Sequence, residues 1–108
     1  MSAKIEFLLK MVDEIEAYKV ELGSIEAVLN SKMAFNATLM NLLQIGETLG
    51  KLDENILKEH GLLEDAKGAY KTRNFIAHDY EGVNKAVVED ILRNYLPRLR
   101  VLLVDINK

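Results

Sequence analysis

Between residues 73 and 80 the chain reads RNFIAHDY, gathering one of its four arginines, one of its two histidines and a tyrosine. Histidine is the side chain most easily tuned to exchange a proton near neutral pH. Arginine is a permanent cation whose planar fork matches a phosphate through two parallel hydrogen bonds. Together they suit attack of a ribose 2′-hydroxyl on the adjacent phosphate, in which a proton must leave and charge on phosphorus must be stabilised. That reaction requires no metal. The chain has no histidine pair at ligand spacing and no dense carboxylate cluster near the motif, so no metal and no cofactor are expected.

Helical geometry limits how this trio can act. Five residues of regular helix turn through about 500°, which leaves Arg73 and His78 about 140° apart. Arg73 shares a face with Ala77 instead. For both side chains to serve one substrate, the helix must end near His78 or the long arginine must reach around. The turn-forming run Asp79, Glu81 and Gly82 predicts that the helix ends there.

The elements that must carry the motif are helices throughout. Glycine and proline are sparse, and apolar residues recur at helical spacing. A first helix is predicted over 3–22, its stripe formed by Ile5, Leu8, Val12, Ile15 and Leu22 and its end marked by Gly23. Ser24 is a good cap for a second, continuous helix to about residue 49, apolar enough to be central. A short helix follows over 53–60, between Asp53 and Gly61, with His60 as a helix-end residue. Residues 62–78 form a fourth, weakly amphipathic helix. Asn84 caps a long fifth helix, interrupted by a kink or break where Pro97 removes the partner of the Arg93 carbonyl. Short connections favour an antiparallel up-and-down all-α bundle of four to five helices.

At 108 residues, 49% of them hydrophobic, the chain can build one core and is expected to be a single domain over 1–108. It has no cysteine, which excludes disulfides, thiolate metal sites and cysteine nucleophiles and fits a cytoplasmic setting. No apolar run approaches the ~20 residues that span a bilayer, so no membrane association is expected. The formal net charge of −3 gives no global attraction to nucleic acid, so any such contact must be local. Arg93 and Arg100 share a face of the last helix with Arg98 nearby, a pattern read as solvated charge.

The segment 73-RNFIAHDY-80 resembles the signature of the HEPN superfamily, in particular its HepT-like toxin branch. The segments 44-QIGE-47 and 96-LPRL-99 resemble that branch as well, so the likeness extends over roughly 30–104. Members commonly carry Pro-Trp where this chain reads 65-DA-66. The resemblance implies an all-α bundle that dimerises with its two motifs facing one cleft. It implies a metal-independent endoribonuclease toxin of a type VII-like toxin–antitoxin pair, with RNA as substrate and tRNA among the candidate targets. Arg73 and His78 would be catalytic, with Asn74 and Glu47 supporting them. Tyr80 would be adenylylated by a partner minimal nucleotidyltransferase, the antitoxin. Two other readings compete: a non-catalytic dimeric partner that presents nucleotide or substrate to a nucleotidyltransferase, and a structural bundle without a site.

Overall fold

The computed structural model describes residues 3–107. Helix α1 covers Ala3–Leu22, and its charges alternate with a buried stripe of Ile5, Leu8, Met11, Val12 and Ile15. Leu22, expected in that stripe, is exposed. The helix stops at Gly23, whose φ of +102° lies in the left-handed region open to glycine.

The expected continuous second helix is two helices, α2 (Ile25–Asn30) and α3 (Lys32–Gly50). Ser24 caps α2 through the amide of Ala27. Ser31 then leaves the helical region, at φ −95° and ψ 116°, and accepts a hydrogen bond from the amide of Ala34. A serine hydroxyl that satisfies the first amides of a new helix competes directly with helix continuation, and here it prevails. The apolar periodicity runs across the break, because both helices press the same side onto the core.

Helix α4 (Glu54–Glu59) begins at Asp53, which accepts from the amide of Asn55, and it ends at His60 and the left-handed Gly61. Helix α5 (Leu63–His78) carries the motif. Asn84 caps α6 (Lys85–Asp90), which runs without interruption through a π turn, Ile91–Tyr95, into α7 (Leu96–Ile106). The disturbance expected at Pro97 takes this form: the amide of Leu96 donates to the carbonyl of Ile91, five residues back. A proline ring crowds the carbonyl four residues before it, and widening the preceding turn by one residue relieves the crowding without breaking the rod.

Helices α3 and α5 pack antiparallel: Asn36, near the start of α3, lies opposite Tyr80 just beyond α5, and Gly50, the last residue of α3, lies opposite Tyr70 at the middle of α5. Leu8, Leu39, Leu49, Leu99 and Leu103, from α1, α3 and α7, are almost wholly excluded from water at the centre of the core. Thr38, Asn41 and Thr48 are polar residues buried on α3, and Asn41 reaches across to α1. Its amide donates to the Met11 carbonyl and to Glu14, and its side-chain oxygen accepts from Tyr18, so α3 is held in register on α1. Arg93, Arg98 and Arg100 pair with Glu26 and Glu89, Asp65, and Asp13 respectively, tying the last helix to three others.

Tyr95 donates its phenolic hydrogen to the Asp65 carbonyl at 3.1 Å. Burial, reinforced by the Asp65 charge, pushes this phenol well above the ordinary tyrosine range. The raised value means that the fold favours the neutral ring. Its contribution is complete below the unfolded-state value of about pH 10 and declines as pH rises towards the folded-state value. The stability difference between wild type and Tyr95→Phe should therefore be constant up to about pH 10 and shrink above it. Urea titrations across that window check this, and a difference independent of pH would refute it.

Candidate active site

The motif depends on how closely α3 and α5 approach. Gly46 of α3 is buried against α5, and a Cβ placed there would lie 2.6 Å from Arg73 Cβ and collide with the Ala69 carbonyl. Only glycine allows this approach. It sets the next residue, Glu47, beside Arg73: Glu47 Oε2 is 2.6 Å from Arg73 Nε. The Nε–H is not aimed at that oxygen, so the contact is an ion pair rather than an aligned hydrogen bond. Glu47 is also 3.9 Å from the Lys51 ammonium. Arg73 Nη1 donates to Asn74 Oδ1 at 2.8 Å, and the guanidinium carbon lies 5.8 Å from the centre of the Tyr70 ring. Carboxylate, amide and ring together restrict the guanidinium from three sides, while its side chain keeps 30% exposure.

His78 is the last residue of α5, so the helix ends where the turn-forming residues after it predict. Its ring is exposed and has no hydrogen-bond or ionic partner among the described residues. Asp79 leaves the helical region at φ −143°, and its carboxylate accepts from the amide of Gly82 to close the following turn. Tyr80 folds back from that turn. Its hydroxyl donates to the Asn36 carbonyl on α3 at 3.0 Å, and its ring packs against the core.

Within one chain the structure thus joins Arg73, Asn74 and Glu47. It does not link them to His78, and it ties Tyr80 to α3. Sequence reasoning passed over Tyr70, Gly50 and Asn36 as neighbours of the motif. Tyr70 was open to detection, because its spacing of three residues from Arg73 places the two on adjoining faces. Among the described residues no three histidine, aspartate or glutamate side chains cluster so as to hold a metal ion, and no helix is long and apolar enough to cross a membrane.

An all-α bundle that ends a helix on Arg-Asn…His-x-Tyr, with the arginine braced by a carboxylate of the preceding long helix, defines a chain of the HEPN ribonuclease type. The family model described as Ribonuclease HepT-like matches residues 8–106. The chain belongs to the HepT-like ribonuclease family. No curated protein and no solved structure matches it.

Proposed function

We propose that the chain is a metal-independent endoribonuclease toxin that acts in the cytoplasm as a homodimer. Two copies of the motif would share one cleft, and a minimal nucleotidyltransferase would neutralise the pair by adenylylating Tyr80. The observation that carries this reading is the division of the motif within one chain. Arg73 is oriented by Glu47 and Asn74, whereas His78 stands exposed and unpartnered among the described residues, available to a substrate or a second copy.

In the reaction, His78 accepts the proton of a ribose 2′-hydroxyl as its oxygen bonds to phosphorus. The bond to the 5′-oxygen breaks, and that oxygen takes a proton from a second acid, for which the histidine of the other copy is available. Arg73 presents its fork to the non-bridging oxygens, where charge builds in the transition state. The products are a 2′,3′-cyclic phosphate and a 5′-hydroxyl. An AMP group on Tyr80 would add a bulky anion one residue beyond the helix cap, excluding RNA by bulk and by charge. For the transfer to occur, the tyrosine hydroxyl must give up its bond to the Asn36 carbonyl.

Incubating the purified protein with total RNA in EDTA tests the first half of the proposal. Cleavage with cyclic phosphate ends is expected, and intact RNA would overturn it. Co-expression with a nucleotidyltransferase encoded beside this chain tests the second half: intact mass should rise by one AMP in wild type and not in Tyr80→Phe. One observation favours a non-catalytic partner of that enzyme. Arg93, Arg98 and Arg100 are all committed to carboxylates, and the net charge is −3. That reading predicts AMP addition, or a stable complex, without any cleavage.

A further inference from the structure

Beside Arg73 the surface opens into a cleft of about 520 Å³ between α3, α4 and α5, lined by Glu47, Gly50, Lys51, Leu57, Lys67 and Tyr70 among others. That volume is within the range of roughly 300–1,000 Å³ typical of ligand clefts. The cleft is continuous with the motif, because Glu47 and Tyr70 are themselves the neighbours of the Arg73 guanidinium.

Tyr70 is a usable aromatic platform. A Cβ on Gly50 would lie 2.7 Å from Tyr70 Cδ1, so the ring rests against α3 at a position that only glycine leaves open. The ring is nonetheless 43% exposed, so it is braced by protein without being covered. Along α5 it keeps basic company. At about 100° per residue, Tyr70, Asn74, Lys67, His78 and Lys71 fall within an arc of about 100°. All five are exposed. From Lys67 to His78 the stripe is about 16 Å long, at 1.5 Å per residue. Lys71 has no carboxylate partner among the described residues. Lys67 meets Glu64 at 3.7 Å with both side chains mostly in water, a contact that a polyanion readily displaces.

We propose that the Tyr70 cleft is a nucleobase subsite, and that Lys67, Lys71 and His78 form the track along which the backbone of single-stranded RNA reaches it. The proposal rests on the ribonuclease reading above and extends it to a substrate class. An aromatic ring that stacks on any base, flanked by the Lys67 and Lys71 cations, suits an unpaired strand. The A-form duplex keeps its bases stacked and so gains nothing from the ring. A chain of net charge −3 thereby carries a local basic strip where its global field offers none.

The test separates binding from cleavage. A fluorescent single-stranded RNA of about eight nucleotides, with every ribose 2′-O-methylated, cannot be cut by 2′-hydroxyl attack and reports binding to the full-length wild type. Tyr70→Ala should weaken binding about tenfold and Tyr70→Phe less than about threefold, since stacking needs only the ring. Lys67→Ala and Lys71→Ala should each lower the slope of log K against log salt by about 0.7, as expected for one lost phosphate contact on a single strand. A folded Tyr70→Ala that binds like wild type overturns the subsite, as does wild type that fails to bind or prefers a duplex. If Tyr70→Ala proves unstable, Tyr70→Leu at matched melting temperature and the two lysine slopes decide in its place. Cleavage of natural RNA by the same wild-type preparation is scored separately. Intact natural RNA with Tyr70-dependent binding would sink the nuclease and keep the subsite, and the converse would sink only the subsite.

Discussion

His78→Ala should lower the rate of RNA cleavage by about 10²–10⁴, the range that a positioned acid or base contributes. The same variant should unfold within about 0.5 kcal/mol of wild type, as surface substitutions do. The two halves of this prediction have one cause. His78 is exposed at the last position of α5 and makes no hydrogen bond or ion pair with any described residue, so its removal leaves no buried group stranded. Arg73→Ala is a less clean experiment. It would leave Glu47, itself about two-thirds buried, with only its longer contact to Lys51 and remove the cation beside the Tyr70 ring, so lost activity and lost stability would be confounded. Arg73→Lys separates them in part, because lysine keeps the charge but not the fork and should recover stability before activity. Steady-state cleavage and thermal melts on the same preparations check the set. An unchanged rate in a folded His78→Ala would remove histidine from the mechanism.

Helix ends were the most legible part of this fold. Ser24, Asp53 and Asn84 each cap where their side-chain chemistry predicts, and Gly23 and Gly61 take positive φ at two of the helix stops. A cap is a contact between residues two or three apart, so its cause lies wholly within a short window of sequence. Ser31 was equally local and still escaped notice. The apolar stripe continues through it, and periodicity averages over several turns while a cap acts at one residue. Pro97 signalled a disturbance but not its form. Whether a helix kinks or inserts a π turn depends on what it packs against, and Tyr95 and Leu96 hold the α7 rod on its neighbours. The motif was visible in composition and spacing, whereas its supports were not. The bond from Tyr80 to Asn36 joins residues 44 apart, and nothing local to either announces the other. The Glu47–Arg73 pair entered through family resemblance alone, because its physical basis, the close approach of Gly46 to Ala69 and Arg73, joins residues far apart in the chain.

That close approach leads to the largest stability effect expected of any single change near the site. Gly46→Val should destabilise the fold by about 3 kcal/mol, at the upper end of what overpacking ordinarily costs. For a chain of this size the melting temperature should then fall by roughly 10 °C or more. Replacing a helical glycine would otherwise help, since alanine is favoured over glycine by about 1 kcal/mol in a helix interior. At Gly46 the obstacle is the Ala69 carbonyl and the Arg73 Cβ, which are backbone and the root of a side chain rather than a flexible tip. Neither can turn aside, so α3 and α5 must separate and the Glu47–Arg73 pair must lengthen with them. Gly46→Ala should show the same sign at smaller size. Gly68 provides the internal control, because it also lies within a helix and a Cβ there meets nothing within 4 Å. Gly68→Ala should therefore raise the melting temperature by a few degrees, about what 1 kcal/mol of propensity gives. Opposite signs for the same substitution at the two glycines would establish that α3 and α5 touch at Gly46. A stabilising Gly46→Ala would mean that they do not, and the account of how Arg73 is held would fall with it.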